Sequence, residues 1–146
     1  MTIDSTILKL RLDKILELLP HLIEIQQKGK KAYTDSRLLQ HATERQLQIA
    51  AQAVVDISTH IIAHKHWGAP ESYTEAISII ASNHVIDTDL AKDLKELVKL
   101  RNLIVHLYLK IDSALLYTNL ARYIKSLETF VVSMKQFIKE IQKQKM

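Results

Sequence analysis

The chain has 146 residues, of which 47% are hydrophobic and 25% charged, with a formal net charge of +4 and no cysteine. That length suits one domain able to bury roughly 70% of its unfolded surface. The composition excludes a disulfide framework, a thiolate metal site and a span of ~18 uncharged apolar residues, while the mild basicity permits nucleic acid without requiring it.

With two Gly and two Pro, turns are few and helices are expected to be long. The first runs from Asp4 or Ser5 to Gln27, with Ile7, Leu8, Leu12, Ile15, Leu16, Leu19, Leu22 and Ile23 at helical spacing. Pro20 is expected to kink it rather than end it, because the apolar pattern resumes at Leu22. Lys28 to Lys31, around Gly29, read as a loop. A second helix, capped by Thr34 or Asp35, runs to about His64 and stops at Trp67-Gly68-Ala69-Pro70. Ser72-Tyr73-Thr74-Glu75 has capping-box spacing and opens a short helix to about Ala81. Asp87 or Thr88 starts the fourth helix, through Leu90, Leu94, Leu97, Val98, Leu100, Ile104 and Val105. Asp112-Ser113 begins the last, which reaches about Gln142. No strand pair is predicted. The fold expected is all-α, an up-and-down four-helix bundle with one extra short helix. The N-terminus carries Asp4 and Lys9 and lacks the apolar core of a signal peptide, so a cytoplasmic protein is expected.

Three polar groups are ambiguous. Asp56, His60 and His64 form a stripe with metal-ligand spacing. The plainer reading is an exposed helix end with His66 beside it, and no H-E-x-x-H pattern supports a catalytic metal, so no metal is expected. Lys135, Lys139, Lys143 and Lys145 make a basic tail, either a solvated face or a ridge against an RNA backbone. Glu44-Arg45 is either a surface pair or part of a shared polar cleft.

The richest segment is Arg101-Asn102-Leu103-Ile104-Val105-His106-Leu107-Tyr108, which sets four polar side chains into an apolar run. Arginine offers a fork that fits phosphate, and histidine trades protons near neutral pH. Arg101 and His106 lie about 140° apart on a helix, whereas Asn102 and His106 share a face. Tyr108, seven residues after Arg101, falls nearly on its stripe. A two-fold dimer pairing this helix with its mate doubles the set. The plain alternative is an Arg101 salt bridge to a nearby carboxylate, with His106 capping the helix and Tyr108 packing.

Arg101-x4-His106-x-Tyr108, with Asn102 after the Arg, resembles the signature of the HEPN superfamily, and in particular of HepT-type toxins of HEPN–MNT pairs. Glu44-Arg45-x-Leu47-Gln48-Ile49-Ala50, Val54-Val55-Asp56-Ile57 and Pro70-x2-Tyr73 followed by Ala76-x2-Ile79 resemble further family segments, so the likeness covers most of the chain. The resemblance implies a single HEPN-like helical domain over 1–146 that forms a homodimer, possibly within a larger hetero-oligomer. It implies a metal-independent endoribonuclease without cofactor, with Arg101 and His106 catalytic and Asn102 supporting. Its partners are then an RNA substrate, tRNA or mRNA, and an MNT-type nucleotidyltransferase antitoxin that silences it by AMPylation of Tyr108; no membrane is involved. The alternative is a catalytically silent helical module that binds nucleotide or the nucleotidyltransferase.

Overall fold

The computed structural model describes residues 4–106 and 110–144. It contains α1 (Ser5–Gln27), α2 (Lys30–Thr34), α3 (Arg37–Lys65), α4 (Tyr73–Ser82), α5 (Thr88–Val105) and α6 (Ser113–Gln144), with no strand among the described residues. The long helices close a ring: α1 packs on α3 and α6, and α5 packs on the same two from the other side. Short α4 covers α3 and α5. The all-α bundle expected from periodicity is the one observed.

Helix starts are set by side chains that accept from otherwise unpaired backbone N–H groups. Asp4 accepts from Thr6 and Ile7 on α1, Ser36 from Leu39 on α3, and Asp87 from Leu90 on α5. Ser36 therefore caps α3, not Thr34 or Asp35. Those two close α2, a five-residue helix lying where a loop was expected. It begins at Gly29, whose φ of 94° suits a residue without Cβ. Ser72 caps α4 by accepting from Glu75, but the Glu75 carboxylate accepts from Glu71 N–H rather than closing the box on Ser72. α1 runs unbroken through Pro20.

Leu8, Leu12, Ile15, Leu19, Leu22 and Ile25 of α1 are buried at three- and four-residue intervals. They meet Leu47, Val54, Ile57 and Ile61 of α3, Leu94 and Leu97 of α5, and Leu120, Leu127 and Phe130 of α6 in one core. Each such side chain contributes about 1.5–3 kcal/mol on burial. Among the described residues no helix is long and apolar enough to cross a membrane.

Candidate active site

The site gathers where α1, α3 and the end of α5 meet, with the start of α4 beside it. Arg101, on the last turn of α5, is half-buried. Its Nη2 donates to Gln52 Oε1 on α3 at 3.0 Å, and its Nη1 donates to Asn102 Oδ1 at 3.2 Å. The guanidinium carbon lies 5.0 Å from the centroid of the Tyr73 ring at the start of α4, within cation–π range. Nε is buried without a partner.

Gln52 is held in turn. Its Nε2 donates to Asp56 Oδ1 at 2.9 Å, and Arg11 Nη1 on α1 donates to Asp56 Oδ2 at 3.2 Å. An ionised carboxylate only accepts, so Asp56 requires the NH2 end of the Gln52 amide and turns its oxygen towards Arg101. The chain Arg11–Asp56–Gln52–Arg101–Asn102 thus crosses three helices with each link of one polarity.

The consequence is electrostatic. Among the described residues Arg101 pairs with no carboxylate: its partners are two neutral amides and a ring face. The fork is oriented while its charge remains uncompensated, which is what an incoming phosphate needs. The plain reading of Arg101 as half of a structural salt bridge does not hold.

His106 stands at the end of α5, where it is the C-cap, with φ −86° and ψ 79° and its N–H donating to Asn102 C=O at 3.1 Å. Its residue is exposed, one helical turn beyond Asn102. α5 ends at Val105. Tyr108 itself lies outside the described residues.

A family model described as ribonuclease HepT-like matches residues 11–134. The chain belongs to the HepT-like ribonuclease family. A tRNA nuclease HepT of Aphanizomenon flos-aquae is 33% identical over 110 residues, 75% of this chain and 75% of its own length. An mRNA nuclease HepT of Shewanella oneidensis is 29% identical over 93 residues, 64% of this chain and 70% of its own. The solved structure of a tri-AMPylated Shewanella oneidensis HEPN toxin in complex with MNT antitoxin shares the fold, with a TM-score of 0.82 at 23% identity over 89% of this chain and 97% of that one.

Within this HepT-like chain, three contributors to the Arg101 surroundings were given no role by the sequence: Arg11, Gln52 and Tyr73, the last named only within a capping pattern and the family-like segment Pro70-x2-Tyr73. The nearest clue to Gln52 was its place four residues before Asp56 on one helix face. Of the ambiguous groups, Glu44 and Arg45 line different clefts. Arg45 lies with Arg11 and Gln52, Glu44 with Arg37, His41 and Lys110. Burial raises the Glu44 carboxyl above its ordinary value, with His41 opposing. The Asp56–His60–His64 stripe is divided, since Asp56 is engaged by Arg11 and Gln52. The two rings sit 4.4 Å apart, and no group of three metal-ligand side chains forms among the described residues. Lys145, last of the basic tail, lies outside them.

Proposed function

We propose that this chain is the toxin of a toxin–antitoxin pair, a metal-independent endoribonuclease that cuts RNA in a cleft where Arg101 and His106 of two protomers meet. The observation that carries the reading is the uncompensated, oriented guanidinium of Arg101, five residues before the exposed C-cap His106 of α5. The family membership and the two relatives named as nucleases support it.

The chemistry needs a base, an acid and a cation. One histidine takes the proton from the ribose 2′-OH, whose oxygen attacks the adjacent phosphorus. A second protonates the departing 5′-oxygen. The phosphorane between them gains negative charge, which Arg101 stabilises through two N–H groups. The products are a 2′,3′-cyclic phosphate and a 5′-hydroxyl. A protomer offers one His106, so both roles call for a dimer about α5. Asn102 supports by accepting from Arg101 Nη1 and, through its carbonyl, from His106 N–H.

Control falls to Tyr108. A phenol titrating near ~10 is a poor base at neutral pH, whereas an AMP attached to it adds phosphate charge and bulk that compete with RNA. The Shewanella oneidensis relative seen as a tri-AMPylated toxin with an MNT antitoxin supports a nucleotidyltransferase partner for this chain. The protein then acts in the cytoplasm, where both RNA and partner are.

The test incubates purified, unmodified protein with RNA in excess EDTA and analyses the new ends. Cleavage to 2′,3′-cyclic ends, lost in His106→Ala with helicity unchanged, is expected. Activity that needs Mg²⁺, or survives His106→Ala, defeats the mechanism; a protein that binds nucleotide but never cuts is a silent module. Tyr108→Phe is expected to cut RNA yet escape silencing when co-expressed with the partner, whereas a Phe variant still neutralised would remove Tyr108 from control.

A further inference from the structure

A cleft of about 280 Å³ lies between α1 and α3, lined by Arg11, Lys14, Arg45, Gln48, Gln52 and Asp56 with Ile49 and Ala53. On α3, Arg45, Gln48, Gln52 and Asp56 fall within about 80° of one another around the helix axis, so they form one polar stripe. Its members divide into two sets. Asp56 and Gln52 are fully used, tying Arg11 to Arg101. Arg45 and Gln48 make no hydrogen bond or ion pair among the described residues, and Lys14 meets only Glu17, at 3.9 Å with both side chains largely exposed. Such a contact holds little energy.

The cleft therefore shows three cations against one carboxylate, which Arg11 already occupies. It also holds an unspent amide and an aliphatic patch. These are complementary parts for a nucleotide: cations for phosphate, an amide with donor and acceptor for a base edge, and Ile49 and Ala53 for its flat face. Its volume is at the lower end of small-ligand sites, ~300 Å³, which suits one unstacked unit rather than a duplex. Gln52 is the shared wall: it lines this cleft, and its amide oxygen holds Arg101.

We propose that this cleft is a subsite for the RNA nucleotide next to the scissile phosphate, with Arg45 and Lys14 taking its phosphate and Gln48 reading its base. The proposal rests on the ribonuclease reading above and adds the source of sequence preference. An acidic protein surface would engage the same cations, but a cleft of about 280 Å³ encloses a single unit rather than a broad surface, which is why RNA is the occupant.

The test uses the full-length, unmodified protein. In the His106→Ala background, which prevents cutting, binding of a fluorescein-labelled single-stranded RNA pool is followed by anisotropy at several salt concentrations. Arg45→Ala is expected to weaken binding about tenfold and to lower the magnitude of the slope of log affinity against log salt by ~0.7, one phosphate contact. Arg45→Lys keeps the charge and the slope, which separates lost contact from lost fold. Lys125→Ala, at an exposed position of α6 outside the basic tail, leaves both unchanged. In the active protein, Gln48→Ala is expected to broaden the bases found at one position beside the cut, whereas Arg45→Ala weakens all sequences alike. Parent protein that cuts RNA while Arg45→Ala binds within twofold of it and Gln48→Ala cuts at unchanged sequences overturns the subsite alone. Parent protein that neither binds nor cuts RNA overturns the ribonuclease reading and this proposal together.

Discussion

Two polar clusters sit on α3 one turn apart, and they are built on opposite principles. Around Gln52 and Asp56, the side chains are joined to α1 and α5 in a chain of hydrogen bonds of 2.9–3.2 Å, with Arg101 Nε the one buried atom left unpaired. Around His60 and His64, the rings touch at 4.4 Å, but His60 Nε2 and His64 Nδ1 are buried without a partner. Connected polar networks fix geometry, while unpaired buried groups cost stability. The first cluster is thus a positioning device, and the second is a weak point.

Arg101→Lys breaks the comparison most severely. Lysine keeps the charge but cannot hold Gln52, Asn102 and a phosphate with one planar fork. Cleavage is expected to fall on the order of 10²–10³-fold with helicity intact; a lysine variant within a few-fold of the parent would show that charge alone suffices.

Gln52→Leu comes next. It removes the link while keeping the volume, leaving Arg101 and Asp56 each short of a partner. Turnover is expected to drop by up to ~10²-fold through misplacement of the fork, with stability lower by about 1–3 kcal/mol. Gln52→Glu keeps an acceptor for Arg101 but compensates its charge and sets two carboxylates together at Asp56, so the rate should stay low; a Glu variant near the parent rate would mean that the free charge of Arg101 does not matter. Asp56→Asn is milder, because an amide can accept from Gln52 in one orientation but also lets Gln52 turn over. A smaller fall in kcat than for Gln52→Leu, with KM nearly unchanged, is expected in steady-state kinetics.

The smallest effect concerns the other cluster. Burial lowers the His60 pKa, helped by His64 and Arg11 and opposed by Asp4. An imidazole whose pKa lies below its unfolded value, near ~6.5, binds fewer protons folded than unfolded. Its contribution is therefore lost as the pH falls through that value. Melting curves from pH 7.5 to 5 should show Tm declining in the parent and declining less in His60→Gln, by a few degrees at most. Parallel curves would remove His60 from the acid sensitivity.

The long helices were readable because each carries its own apolar period and, in most cases, its own cap: Leu8 to Ile25, or Leu90 to Ile104, need no distant information. α2 was not. Lys30 to Thr34 look like a polar loop, and the helix is held by one fully buried side chain, Tyr33, against the Tyr117 ring at 5.4 Å. Burial, with Glu44 adding to it, pushes the Tyr33 phenol up to about 12. Arg101, Asn102 and His106 stood out because polar groups in an apolar run need partners. The identity of those partners was hidden, since Gln52 and Arg101 lie 49 residues apart and Arg11 and Asp56 lie 45 apart. No local pattern links such pairs; only the packing of α1 and α5 on α3 brings them together.

The order in which that cradle is made follows from the direction of synthesis. Synthesis proceeds from the N-terminus, so Arg11, Gln52 and Asp56 are translated well before Arg101, and α6, against which α5 packs, follows it. A nascent chain holds the receptor but not the charge it receives. The surroundings of Arg101 are therefore completed only when α5 docks on α3 and α6, after its partners on α1 and α3 have been made.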